Sequence, residues 1–306
     1  MKKILAMLLA LVMILSLAAC ASTPAADTPA ESTSTTETPV TETPASAEKT
    51  PAADGKTYTV GVCQLVQHEA LDAATQGFVD ALTEELGDAV TIDVQNASGD
   101  SVNCGTIVNG FVSRGVDLIM ANATPALTAA VSATADIPIL GTSITAYGVA
   151  LDLDDFNGTV GGNVSGTSDL ADLQKQAQMI LDWFPETKNV GLLFCSAEPN
   201  SRYQIDEVRK ALEAQGVTCE EFAFTDSNDV SSVTQKAADF SDVVYIPTDN
   251  TAASNTEAIA NVLIPAGAIA MEECSHEAYP DHSESLPEAV PGARRLRRCD
   301  AVHQLL

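Results

Sequence analysis

Basic side chains and histidines are scarce in this chain. Its 306 residues include 15 lysines and arginines and four histidines, against 42 aspartates and glutamates, and the formal net charge is −27. A surface this acidic repels the phosphates of DNA and RNA, so we expect no nucleic-acid partner. Three of the four histidines follow residue 275, which leaves few side chains for acid–base chemistry.

Motifs that carry common enzyme chemistry are also missing. The sequence contains no G-x-S-x-G elbow, no phosphate-binding loop, no G-x-G-x-x-G and no H-E-x-x-H. We therefore predict a protein that is not an enzyme and that uses no cofactor.

The seven cysteines have no regular spacing and form no CxxC pair, so we expect no disulfide bond. Cys63 and Cys195 lie in strand-like runs, where a small buried side chain is typical. Five cysteines and histidines lie near the end of the chain: Cys274, His276, His282, Cys299 and His303. Their spacing matches no common zinc pattern, so we predict no metal site.

The N-terminus has the pattern of an export signal. Lys2 and Lys3 precede an apolar run over residues 4–15, which is too short to span a membrane as a helix. The run ends in Leu17-Ala18-Ala19-Cys20, which resembles the lipobox of bacterial lipoproteins. The resemblance implies a signal peptide over residues 1–19, a lipid on Cys20 and a protein anchored at the outer face of the cell membrane. The alternative is an ordinary secretory signal with a chance cysteine.

Residues 20–56 consist almost wholly of Ala, Ser, Thr, Pro and Glu and include no aromatic residue. Such a segment buries too little apolar surface to offset the entropy of ordering, so we predict a disordered linker.

From residue 57 to residue 150 strand and helix patterns alternate. Short apolar runs begin at Tyr58, Val90, Asp117 and Ile137, and residues at helical spacing lie between them. Apolar strands that alternate with amphipathic helices indicate a parallel sheet covered on both faces. We predict an N-terminal α/β lobe here.

The alternation restarts at residue 169. Helices are predicted over residues 173–184, 205–212 and 252–263, and strands over 189–195, 217–224 and 242–246. This predicts a C-terminal α/β lobe over residues 169–267, with a glycine-rich hinge at 151–168. Ligands of such sheets bind beyond the carboxyl ends of the strands, which would face the cleft between the lobes.

Five motifs, each at a predicted strand end or at the hinge, carry a more specific resemblance. They are Gln64–Asp72, Asn122–Ala126, Gly166–Asp169, Glu198–Ser201 and Tyr245–Asn250. Together they resemble the TrpX-type substrate-binding proteins of ABC importers, which are associated with tryptophan and tyrosine, over residues 58–267. The resemblance implies a two-lobed, periplasmic-binding-protein-like fold of type I. It also implies an extracytoplasmic lipoprotein that delivers an amino acid, of aromatic type, to an ABC permease with its ATPase.

A zwitterionic amino acid needs donors for its carboxylate and an acceptor for its ammonium group. Thr124 at a proline-led helix start and Ser168 at the hinge are candidate donors, and Asp249 is the candidate acceptor. Gln64 and His68 are candidates for the ligand's edge, and Tyr147, Tyr203 and Asn200 for the cleft wall. The full set of predicted binding residues is Gln64, His68, Ala123, Thr124, Tyr147, Ser168, Asp169, Asn200, Ser201, Asp249 and Asn250.

Several of these residues have an alternative role in the fold itself. Asp169, Thr124 and Asp249 each precede or begin a predicted helix and are alternatively N-caps. His68 is alternatively the start of the first helix, and the tyrosines are alternatively packing residues. The ligand is also open at this point: a sugar, nucleoside or peptide-like solute, or a sensor of such a solute, would fit the same fold.

Residues 268–306 have neither a helical nor a strand period. Four of the seven arginines of the chain lie here, at Arg294, Arg295, Arg297 and Arg298. The resemblance implies a further strand and helices after residue 267. We therefore hypothesise a reading-frame shift near residue 268, which leaves the second lobe incomplete, and resequencing of the locus would test it.

Overall fold

The structure, a computed structural model, describes residues 55–272. The predicted signal peptide, Cys20, most of the linker and the arginine-containing tail lie outside these residues. No helix within residues 55–272 combines the length and the apolar character that a membrane crossing requires.

The first half of the described chain alternates strand and helix. Its strands are β1 (Tyr58–Gln64), β2 (Val90–Asn96), β3 (Leu118–Asn122), β4 (Ile139–Ile144) and β5 (Val164–Ser168). Its helices are α1 (Glu69–Leu86), α2 (Ser101–Arg114), α3 (Thr124–Ala133) and α4 (Tyr147–Ala150), with a short 3-10 turn at Gly87–Ala89.

The second half repeats the alternation. Its strands are β6 (Asn189–Cys195), β7 (Thr218–Phe224), β8 (Val243–Ile246) and β9 (Ile269–Glu272). Its helices are α5 (Leu173–Trp183), α6 (Pro199–Glu213), α7 (Val230–Phe240), α8 (Asn250–Ser254) and α9 (Thr256–Ala266).

Each half forms its own parallel sheet. The first has the strand order β2-β1-β3-β4-β5 and the second has the order β7-β6-β8-β9. The near-continuous burial of β1 and β6 agrees with sheets that are covered on both faces. The predicted α/β class and the two-lobed arrangement are thereby confirmed.

The core of the first lobe requires a glycine in its central strand. Phe111 on α2 is fully buried, and an added Cβ at Gly61 in β1 would lie 2.6 Å from its ring. The absence of a side chain at Gly61 therefore lets α2 pack closely against the sheet. In the second lobe, Ile180 and Val208 cover one face of the sheet, and Leu193 and Phe224 lie in the cluster on the other.

The structure differs from the sequence-based expectations at several places. Val164–Ser168, inside the predicted hinge, pairs with β4 as an edge strand of the first lobe. Ile269–Glu272, inside the predicted tail, pairs with β8, so the second lobe extends at least to Glu272. The predicted helix over 252–263 is two helices divided at Asn255, whose side chain donates to the Thr251 carbonyl at 2.8 Å.

Helix α7 was not predicted from the sequence. Its buried residues are Val230, Thr234 and Ala237, so the face it turns to the core includes a threonine and an alanine. Thr234 donates its hydroxyl to the Val230 carbonyl, which satisfies that group inside the core. The apolar residues Val230, Val233, Ala237 and Phe240 nevertheless recur at helical spacing and pack in one cluster, so the sequence carried a signal for this helix that was overlooked.

Candidate functional site

The carboxyl ends of the strands bring most of the predicted binding residues together. Gln64 and Asn122 are register partners at the ends of β1 and β3. In the second lobe, Asn250 begins α8 directly beyond β8. The two lobes meet here, because His68 Nε2 lies 3.4 Å from Asn250 Oδ1.

The end of β3 combines backbone strain with unpartnered polar atoms. Ala123 has φ = 89° and ψ = 156°, a region that only glycine enters easily and that costs about 1–3 kcal/mol. Thr124, the first residue of α3, is 2% exposed, and its hydroxyl has no hydrogen-bond partner. The side-chain oxygen of Asn122 is likewise buried and unpartnered. Thr124 does not cap α3, because the cap position is Ala123.

Both the nitrogen and the oxygen of the Gln64 side-chain amide are hydrogen-bonded within the first lobe. Its Nε2 donates to Asp72 Oδ1 at 2.6 Å and to the Val66 carbonyl at 2.8 Å. Its Oε1 accepts from the hydroxyl of Thr75 at 2.6 Å. Thr75 in turn accepts from Asn122 Nδ2 at 2.9 Å. This chain of bonds fixes the loop that carries His68.

Asp249 has the capping role that the sequence left open. Its Oδ1 accepts from the Ala252 amide at 2.8 Å, and its Oδ2 accepts from the Cys195 amide at 2.6 Å. The residue is 3% exposed. Burial, together with the charge of Glu198, raises the pKa of Asp249 to about 7, against the opposing effect of the two amides. Asp249 therefore ties α8 to the end of β6.

Glu198 is a residue that the sequence placed in a motif but not in the site. It is 3% exposed and accepts bonds from both residues that begin α8. Its Oε2 accepts from the Asn250 amide nitrogen at 3.1 Å and from Asn250 Nδ2 at 2.7 Å. Its Oε1 accepts from the Thr251 amide and hydroxyl at 2.8 and 2.7 Å. An acidic residue before a proline that starts a helix was the available signal, but it suggested a cap of α6, and Glu198 makes no such bond.

Asn200 and Gln204 complete the polar wall of the second lobe. Asn200 Nδ2 donates to the Thr248 carbonyl at 3.1 Å and to Glu198 Oε2 at 3.3 Å. Gln204 bonds both backbone groups of Thr248. The side-chain oxygen of Asn200 is buried and has no partner. Ser201, which is fully buried, lies beside Asn200 at 3.4 Å.

His68 lies at the start of the first helix, which is one of the two roles considered for it from the sequence. It occupies the cap position of α1 without a side-chain capping bond, and its ring reaches the second lobe. Burial lowers the pKa of His68, and the bond to Asn250 and nearby carboxylates only partly offset this. Neutral imidazole with a proton on Nε2 fits this contact, because Asn250 Oδ1 can only accept.

The comparisons with known proteins agree with this arrangement. The family model described as ABC transporter substrate binding protein matches residues 59–265. The chain belongs to this family.

Relatives of known name or structure lie in the same family. A tyrosine-binding protein of Clostridioides difficile is 34% identical over 224 residues, which cover 71% of this chain and 64% of that protein. The chain thus spans less than two thirds of the length of this curated relative. An ABC domain from Streptococcus pneumoniae in complex with L-Trp is 32% identical, with TM-score 0.67, and the match covers 72% of this chain and 75% of that one. A conserved domain protein of Vibrio cholerae, also 32% identical, has TM-score 0.68 at the same coverage of 72% and 75%.

A large cavity lies beside the strand ends of this substrate-binding fold. It measures about 820 Å³ and is lined by residues of both lobes, among them Tyr147, Ser168, Leu170 and Tyr203. The Tyr147 hydroxyl donates to the Gly141 carbonyl at 3.1 Å, and burial raises the pKa of Tyr147 to about 12, so its phenol stays neutral. Ser168 donates its hydroxyl to the Thr145 carbonyl at 2.8 Å.

Asp169 does not take the capping role considered for it. The cap of α5 is Asp172, whose Oδ1 accepts from the Lys175 amide at 3.1 Å. Asp169 instead follows β5 directly and bonds through its backbone amide to the Ile144 carbonyl. The capping interpretation was wrong because residues 169–172 are irregular and the helix begins only at Leu173.

Cysteines and metal ligands add nothing to the site within residues 55–272. Cys63, Cys104, Cys195 and Cys219 are free thiols there, and no group of three or more His, Cys, Asp or Glu side chains in that range is arranged to hold a metal ion. The buried Cys63 thiol is hydrogen-bonded to the Cys104 thiol. This hydrogen bond, together with burial, raises the pKa of Cys63.

Proposed function

We propose that this protein is an extracytoplasmic solute-binding lipoprotein that captures an amino acid, of aromatic type, between its two lobes. It is held at the cell membrane through a lipid on Cys20 and delivers the ligand to an ABC permease with its ATPase. It does not transform the ligand. The names of two relatives support the ligand class, because one is called tyrosine-binding and the other holds L-Trp.

The observation that carries the proposal is a set of buried polar atoms without partners at the strand ends. Asn122 Oδ1 and Thr124 Oγ1 in the first lobe and Asn200 Oδ1 in the second each lack a hydrogen bond. A buried polar atom without a partner costs about 1–3 kcal/mol. A polar ligand that binds between the lobes would supply the missing partners.

The two ends of an amino acid suit the two lobes. The hydroxyl of Thr124 and the amides at the start of α3 are donors, and they suit the ligand's carboxylate. The cavity beside Tyr147 and Tyr203 offers apolar and aromatic walls for the ligand's side chain. The contact between His68 and Asn250 joins the lobes, so binding is coupled to closure of the cleft.

Thermal unfolding of the purified protein tests this function. We expect stabilisation by L-tryptophan, L-tyrosine or L-phenylalanine and none by a sugar or a nucleoside. At a hundred times the dissociation constant, a ligand stabilises the folded state by about 2.7 kcal/mol. The bound amino acid should be recovered unaltered after release.

The matched variants are Thr124→Ala and Thr128→Ala, which lie one turn apart on α3. Thr124→Ala should weaken binding about tenfold by loss of one charge-assisted donor. Thr128 is exposed, so Thr128→Ala should leave the affinity unchanged. Stabilisation by a sugar or nucleoside and by no amino acid would overturn the proposed ligand class.

A further inference from the structure

The polar wall of the second lobe is organised around one buried carboxylate. We infer that Glu198 is a positioning residue that turns the side-chain oxygens of Asn200 and Asn250 toward the cleft, and so selects ligands with an ammonium group. The inference rests on the proposed function and names the group of the ligand that this wall recognises.

The hydrogen bonds of Glu198 fix the orientation of the two asparagine side chains around it. Its Oε2 accepts from Asn250 Nδ2 at 2.7 Å and from Asn200 Nδ2 at 3.3 Å. An ionised carboxylate can only accept hydrogen bonds. Both amide groups must therefore present their NH2 ends to Glu198, and the Thr248 carbonyl holds Asn200 in the same orientation at 3.1 Å.

The opposite ends of these amides are then fixed as acceptors. Asn250 Oδ1 points to the first lobe, where His68 Nε2 lies at 3.4 Å. Asn200 Oδ1 is buried without a partner in a residue that is 2% exposed. A wall that offers carbonyl oxygens favours a donor group on the ligand and disfavours a second acceptor.

The charge of this region points in the same direction. Glu198 and Asp249 are each 3% exposed, and none of the ion pairs within residues 55–272 includes either of them. Both oxygens of Asp249 are already occupied by backbone amides. The buried carboxylate of Glu198 therefore makes the potential of the wall negative and favours a cationic over a neutral group on the ligand.

The test compares each amino acid with its des-amino analogue. The probes are L-tyrosine and des-amino tyrosine, and L-tryptophan and des-amino tryptophan, with affinities measured by calorimetry. In Glu198→Gln the buried negative charge is lost, and an NH2 group at the Oε2 position would face the NH2 groups of both asparagines and turn them away. We expect the affinity for the amino acid, divided by that for its des-amino analogue, to fall about tenfold or more, since a charge-assisted bond is lost. The des-amino analogue should bind as well as before.

Two controls separate this role from a structural one. Glu213→Gln changes an exposed glutamate at the end of the same helix, α6, and should leave the ratio unchanged. Asn200→Leu removes the unpartnered acceptor itself and should lower the ratio as Glu198→Gln does.

The outcomes are distinguishable. If Glu198→Gln weakens both probes equally, Glu198 only supports the fold, and the inference fails while the proposed function stands. If Glu198→Gln does not unfold cooperatively, Asn200→Leu decides, and an unchanged ratio there overturns the inference. If the unmodified protein binds neither member of either pair, the proposed function itself has failed.

Discussion

Replacement of Asp249 by asparagine should destabilise the fold and leave ligand selectivity intact. The carboxylate accepts the Ala252 and Cys195 amides at 2.8 and 2.6 Å, and it is 3% exposed. Asparagine has nearly the same shape but carries one oxygen and one NH2 group. One of the two buried amides therefore loses its acceptor and faces another donor.

The expected magnitude follows from that single lost acceptor. A buried N–H without a partner costs about 1–3 kcal/mol. A domain of this size loses about 2–4 °C in Tm for each kcal/mol. Below pH 7, where ionisation of the buried Asp249 does not yet offset the loss, Tm should fall by roughly 2–12 °C. Asp242→Asn is the matched control, because Asp242 also accepts two backbone amides, both at 2.9 Å, but is exposed. Both amides donate to one oxygen, Oδ2, which an asparagine can retain, and water reaches this exposed site, so the loss of Tm should be smaller.

Urea or thermal unfolding without ligand measures the stability, and calorimetry with an amino acid and its des-amino analogue measures the selectivity. Asp249→Asn should lower the stability and keep the ratio of affinities. The reverse result, an unchanged stability with a lost preference for the amino acid, would refute this reasoning. The Asp249 carboxylate would then contact the ligand's ammonium group, as the sequence alone suggests.

Gly61→Ala should cost about 1–3 kcal/mol in urea unfolding, because its Cβ would lie 2.6 Å from the buried Phe111 ring; Gly77→Ala, with open space around it, should instead stabilise α1 by about 0.5–1 kcal/mol. The raised pKa of Asp249, about 7, means that its folded form holds a proton that the unfolded form releases near pH 4. Its contribution to stability should therefore fall as the pH rises from about 4 to about 7, and Asp249→Asn should remove that slope in unfolding curves measured across this range. The His68 imidazole should titrate below 6.5 in NMR spectra, because burial disfavours its charged form; a titration above that value would contradict the burial.

The sequence predicted the sheets well because their strands are apolar on both faces. Val60–Val62 and Leu192–Phe194 lie in short, continuous apolar runs. Both runs form central strands of their sheets, β1 and β6. Helix α7 was overlooked although Val230, Val233 and Ala237 recur at helical spacing. Strand β9 escaped detection because its short apolar run becomes a strand only through pairing with β8, a contact distant in sequence.

The site was predicted by position better than by role. Residues at strand ends, such as Thr124 and Asn250, could be placed because parallel strands share one carboxyl edge. The role of Asp249 could not be separated from capping, since an acidic residue before a helix has the same pattern in both cases. Glu198 was missed because its partners, Asn250 and Thr251, lie more than 50 residues further along the chain.

The described strands of each sheet come from one continuous stretch of chain, residues 58–168 for the first and 189–272 for the second. Within residues 55–272, the chain therefore contributes all the strands of the first sheet before it contributes any strand of the second. During synthesis the first sheet can complete its described pairings while the second is still being made. Among residues 55–272, the cleft can therefore form only after the chain of both sheets has been made.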